Sequence, residues 1–231
     1  MLAIIAFFPS WLKRFCYRAF FGYKIGRTVK IGFSIINVEN CEIRDNVTIG
    51  HLNLLTSTKQ LSIGEHTRIG HLNIIRGGDE VRIGSYTEIL RLNEINSNPD
   101  PIVANEYDPR FILGNGSIIT TSHKIDFTDK VEIGKRVILG GRNSSLWTHN
   151  RQQTKPITIG DYSYIGSEIR IVPGGKIPAK CVVGIASVIT KEFEEESKLI
   201  AGVPAKVIKE LGEEGQLLVT FKTRPDLPEE I

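Results

Sequence analysis

Cysteine is scarce in this sequence: Cys16, Cys41 and Cys181 are the only three in 231 residues. They are odd in number, far apart and without a Cys-x-x-Cys pair, which argues against a disulfide framework and a thiolate zinc site and fits a reducing compartment. Long apolar runs are missing too. Leu2 to Phe8 is the only uninterrupted one and stops at Pro9, far short of the ~20 residues a spanning helix needs. Its cations, Lys13 and Arg14, follow the run instead of preceding it, the reverse of a secretory leader, so the expected location is the cytoplasm. Charge of one sign is also lacking. The 29 Lys and Arg against 26 Asp and Glu leave a formal +3, too thin for the dense basic face with which nucleic-acid binders displace counterions. With 41% hydrophobic residues, a wholly disordered chain is excluded.

What the sequence does have is a period. Aliphatic residues followed by glycine recur from Ile25 to Val183, and twelve of the 22 glycines occupy this slot. Near the C-terminus Ile159, Ile165, Ile171, Ile177, Val183 and Ile189 fall six apart. A helix period gives no sixes; six residues make a short strand and a turn, and three such units close one coil of a parallel β-helix. Coil starts are expected at Ile25, Ile43, Ile63, Ile83, Leu113, Ile133, Ile159 and Ile177. Seven steps of ~4.8 Å make a prism of roughly 34 Å. The fold class is therefore all-β, a parallel β-helix of seven to eight coils, spanning 23–195 between an N-terminal segment (1–22) and a C-terminal closing segment and tail (196–231). Aligning the coils places Asn53, Asn73, Asn93, His123 and Asn143 at one corner, where stacked amides can form a ladder. Two insertions, 96–110 and 146–156, follow the third strands of their coils, and loops on a rigid scaffold favour function.

In the N-terminal segment, Ser10 is the expected cap of a helix with Trp11, Leu12, Phe15, Cys16, Ala19 and Phe20 on one face and Lys13, Arg14, Tyr17 and Arg18 on the other. Two readings stay open: a helix lying on an anionic membrane surface, or a cap over the open end of the repeat.

The runs Ile157-Thr158-Ile159-Gly160-Asp161, Gly184-Ile185-Ala186-Ser187-Val188-Ile189-Thr190-Lys191 and Ala201-Gly202-Val203-Pro204-Ala205-Lys206 resemble the hexapeptide-repeat acyltransferases over residues 23–210, in particular the sugar O-acetyltransferases. Thr120-Thr121-Ser122-His123 and Leu146-Trp147-Thr148-His149 are similar to the branch associated with bacterial surface polysaccharides. The resemblance implies a left-handed β-helix, a homotrimer, acetyl-coenzyme A as cosubstrate, no metal, and a sugar or polysaccharide precursor as acceptor. It implies His149 as general base by its position before the Ile-Thr-Ile-Gly-Asp strand, with His123 a second candidate or else a ladder residue. Asp126 and Asp129 are candidate orienters for either ring. Coenzyme contacts carry over to Ser167, Ala186, Ser187, Lys191 and Lys206. By proximity, Trp147 is placed to stack on a sugar and the amides around Gly140 and Gly141 to hold an oxyanion. The competing classes are a γ-type carbonic anhydrase, suggested by His51, His66 and His71, and a non-catalytic β-helix scaffold.

Overall fold

The computed structural model describes residues 2–98 and 107–229; of the 96–110 insertion, 99–106 lie outside the described residues. Short strands alternate with turns and stack into three sheets of eight, ten and eight strands, parallel except for the last pair of the second. The first sheet aligns Ile25, Ile43, Ile63, Ile83, Leu113, Ile133, Ile159 and Ile177 in a single register, which are the coil starts expected from the sequence. Each strand of these coils turns at least one apolar residue inward, and Ile36, Leu55, Ile75, Ile95, Ile125, Leu146, Ile171 and Ile189 line the third sheet's inner face, all buried. Glycine is required where the second sheet stacks tightly: a Cβ on Gly70 would lie 1.8 Å from the Leu90 carbonyl oxygen.

One corner, between the second and third sheets, is held by side chains. Asn73 N–H donates to Asn53 Oδ1 and Asn93 N–H to Asn73 Oδ1, each at 3.0 Å, and His123 N–H donates to Asn93 Oδ1 at 2.9 Å. Ser34 begins the ladder. Its next rung is Ser144 and not Asn143, because Ser144 N–H donates to His123 Nδ1 at 3.1 Å. The cause is a bulge: register shifts between Ile119/Leu139 and Thr121/Arg142, so the Gly140-Gly141 pair inserts one residue. Asn143 is pushed onto the left-handed turn position, φ 59°.

Helices α1 (Leu2–Ile5) and α2 (Ser10–Phe21) close the first coil. In a parallel stack each coil's aliphatic carbonyl accepts from the coil below, as Ile43 O does from Gly26 N–H; the first coil has no coil below it, and its carbonyls stand open. Helix α2 supplies the donors. Lys13 Nζ reaches Ile31 O at 3.1 Å and also Gly32 O, Arg14 donates to Val29 O at 2.7 Å, and Arg18 Nε to Ile25 O at 2.9 Å. Ser10 makes no helix cap; its hydroxyl donates to Ile31 O and accepts Ile31 N–H. Lys13, Cys16 and Tyr17 are therefore the buried residues of α2, while Trp11, Phe15 and Phe20 are exposed.

At the other end, Lys198–Gly202 extends the second sheet beside Val182–Val183 and pairs antiparallel with Ala205–Glu210. Helix α3 (Glu213–Thr220) follows, and the tail runs back down the prism, where Thr223 donates to Gly116 O and Arg224 to His66 O. No described helix is long and apolar enough to cross a membrane.

Candidate active site

The strand Ser145–Trp147 ends in the 146–156 insertion, which folds back on itself. His149 bridges Thr154, Lys155 N–H donates to Thr148 O at 2.8 Å, and Asn150 Oδ1 accepts from Gln152 and Gln153 N–H. His149 thus stands at the root of a closed loop, its side chain one quarter exposed. One coil below, Asp126 lies in register with Trp147, and its carboxylate is only 8% exposed. Asp126 Oδ1 accepts from Thr128 N–H and hydroxyl. Oδ2 accepts from Thr148 N–H at 3.0 Å, Thr148 hydroxyl at 2.9 Å and His149 Nδ1 at 2.8 Å.

An imidazole whose Nδ1–H donates to a carboxylate keeps the Nε2 lone pair for a substrate proton. Of the two candidate carboxylates Asp126 is the one bonded to His149; Asp129 instead accepts backbone N–H groups from Lys130 and Asp108. Beside the pair opens a cleft of about 270 Å³ lined by Arg76, Glu94, Asn96, Lys124, Trp147 and His149. Trp147 is 44% exposed there, and Glu94 holds Asn96 Nδ2 at 2.6 Å and Lys124 at 3.3 Å. These lower residues were not singled out from the sequence. The signal was present in the coil alignment, since Arg76, Asn96, Asp126 and Trp147 share one register column.

His123 lies elsewhere. It precedes the strand Lys124–Asp126 whereas His149 follows Ser145–Trp147, so the two rings occupy opposite edges of the third sheet. His123 is fully buried, with Nδ1 accepting Ser144 N–H and Nε2 bonded to Thr120 Oγ1 at 2.9 Å. Burial pushes its pKa down to about 4.

The remaining predicted residues divide. Gly140, Gly141, Ser167 and Ala186 gather at the His123 corner, where a Cβ on Gly141 would overlap Ser167 Oγ. Lys206 stands close by, paired with Ala201 beside Gly202. Ser187 belongs to the interior of this corner: it is fully buried, and its hydroxyl donates to Gly184 O and accepts Gly202 N–H. Both of these bonds are made inside the fold. Lys191 is set apart, exposed beyond the strand Val188–Ile189 with Nζ 5.5 Å from the Phe193 ring centre.

The three histidines of the metalloenzyme reading do not converge. His51 and His71 stack in parallel with centres 5.5 Å apart, and both Nδ1 atoms already accept backbone N–H groups. His66 stacks on Tyr86. Among the described residues no group of three or more His, Cys, Asp or Glu could hold a metal ion.

No family model and no curated protein matches this chain. Solved structures do. The UDP-N-acetylglucosamine acyltransferase from Campylobacter jejuni aligns over 81% of this chain and 75% of its own with a TM-score of 0.52 at 15% identity. A polysialic-acid-specific acetyltransferase aligns over 81% of each chain with a TM-score of 0.48 at 22% identity. A hexapeptide-repeat acetyltransferase from Vibrio cholerae, solved with acetyl-coenzyme A, aligns over 53% of this chain and 71% of its own with a TM-score of 0.40 at 24% identity. The fold is accordingly that of the left-handed parallel β-helix proteins. Within that class, this chain is one that carries a carboxylate-oriented histidine in a third-sheet loop, facing a cleft with a tryptophan on its wall.

Proposed function

We propose that the protein is an acetyl-coenzyme A-dependent O-acetyltransferase acting on a sugar hydroxyl, with His149 as general base. The observation that carries the reading is the His149–Asp126 pair, held at 2.8 Å at the edge of the Trp147 cleft. As the acceptor oxygen attacks the thioester carbonyl, Nε2 takes its proton; Asp126 steadies the imidazolium, which then returns the proton to the departing thiolate. Trp147 offers an aromatic face to a sugar ring. The coenzyme wall of Gly141, Ser167, Ala186 and Lys206 lies at the other corner of the same sheet, so one chain presents base and wall on separate edges. A homotrimer in which the His149 corner of one prism meets the Gly141 corner of its neighbour completes the site, and bacterial surface polysaccharide synthesis in the cytoplasm is the setting this favours.

The test is thiol release from acetyl-coenzyme A with a panel of saccharide acceptors, comparing wild type with His149→Ala. Loss of the base should cost ~10²–10⁴ in rate with folding unchanged. Acceptor-dependent turnover that survives His149→Ala at more than about a tenth of wild type, well short of that loss, overturns the assignment.

A further inference from the structure

The N-terminal cap has an unusual outer surface. Ile4, Phe7, Trp11, Phe15 and Phe20 are each at least 60% exposed, on α1, the turn after it and α2, although Ile5 and Ala6 beside them are buried. Normally the apolar stripe of a capping helix goes inward. In α2 the inward face holds Cys16 and Tyr17 together with Lys13, Arg14 and Arg18, which bind the open carbonyls of Gly32, Ile31, Val29 and Ile25, and Trp11, Phe15 and Phe20 are left outside.

Charge identifies what covers them. Residues 1–38 contain six cations and no acid, Glu39 being the first. Three of the six cap the carbonyls; the other three, Lys24, Arg27 and Lys30, are exposed on the first coil, around the end that the helices close. A second copy docked face to face would set two such cationic rims against each other, a repulsive arrangement. An anionic lipid surface accepts both features, the aromatic side chains at the headgroup boundary and the cations on the phosphates.

We infer that this end of the prism is a membrane-docking face, with Phe7, Trp11 and Phe15 entering the interface of an anionic bilayer and Lys24, Arg27 and Lys30 contacting its headgroups. This replaces the arrangement suggested by the sequence, in which α2 itself turned its cations to lipid. The inference is independent of the acyl-transfer reading. It also bounds a distance: His149 leaves the sixth coil, five steps of ~4.8 Å above the first, so the site stands about 24 Å above the first coil, with the cap helices between that coil and the surface.

The experiment uses the full chain and vesicles of 70% phosphatidylcholine and 30% phosphatidylglycerol. Trp11 and Trp147 are the only tryptophans, so Trp147→Phe makes Trp11 the sole reporter. Docking predicts a blue-shifted Trp11 emission quenched by brominated lipid, weaker binding to pure phosphatidylcholine, and about tenfold loss of partitioning for each of Phe7→Ser, Trp11→Ser and Phe15→Ser. Unchanged hydrogen exchange over Ile25 to Ile43 checks that these variants fold. An unshifted, unquenched Trp11 overturns the proposal even if a variant misfolds. So does vesicle binding that survives all three substitutions, or concentration-dependent self-association through this face without lipid binding.

Discussion

Asp126→Asn separates a positioning carboxylate from a merely structural one. The native carboxylate accepts five hydrogen bonds, two from Thr128, two from Thr148 and one from His149. A carboxamide keeps one acceptor oxygen and turns an NH₂ group toward the other set. If the oxygen keeps Thr148 and His149, the Thr128 N–H loses its partner; in the opposite orientation the Thr148 N–H does, and the imidazole faces a donor. One buried N–H is unpaired either way, a cost of ~1–3 kcal/mol in stability. The flipped arrangement also draws the imidazole into the wrong tautomer, with its proton on Nε2 and no lone pair for the acceptor. The rate should fall ~10²–10⁴, with little change in KM because Asp126 acts through His149. As the two residues work as one unit, Asp126→Asn combined with His149→Ala should be scarcely slower than His149→Ala alone. Steady-state acetyl transfer, read as thiol release, and urea denaturation give the two numbers. An Asp126→Asn enzyme that loses stability but keeps full kcat refutes the orienting role, and multiplicative losses in the double variant refute the unit.

His123→Asn restores an amide to the ladder and should fold and keep activity, whereas His123→Ala strands Ser144 N–H and should cost ~1–3 kcal/mol. The same histidine makes stability pH-dependent: with a folded pKa of about 4 and an unfolded one near 6.5, the unfolded chain binds the extra proton between these values. Stability is then fully present above about 6.5 and falls with pH by on the order of 3 kcal/mol down to 4, a slope that His123→Asn should remove in urea titrations at pH 7.5 and 5. Sedimentation should find a trimer of 25.8 kDa subunits, and mixing His149→Ala with Lys206→Glu should recover activity in mixed trimers, a result that a self-contained site in each chain would not give. Gly70→Ala, whose Cβ meets the Leu90 carbonyl oxygen, should lose about 3 kcal/mol, while Gly212→Ala, in open space at the N-cap of α3, should cost no more than about 1 kcal/mol.

These residues show which features a repeat writes into its sequence. Coil starts were legible because every coil must turn an aliphatic inward at the same register, so Ile25 to Ile177 repeat whatever the loops between them do. Asn143 was misplaced because a bulge costs one residue and leaves the period otherwise intact; the trace was Gly140-Gly141, a doubled glycine where other coils have one or none. His149 was read through its motif, and Asp126 only as one of two candidate orienters for either ring: it lies 23 residues from His149, and only the coil register singles it out. Helix α2 is the most instructive case. Its two faces were read from the sequence, yet amphipathicity alone favours burying the apolar one. The open end of a β-helix is a row of unpaired carbonyls more than an apolar surface, and leaving them buried without donors costs more than exposing a few aromatic rings. Basic side chains satisfy those carbonyls and aromatic ones do not, so the polar face turns inward and the chain is left with an apolar end.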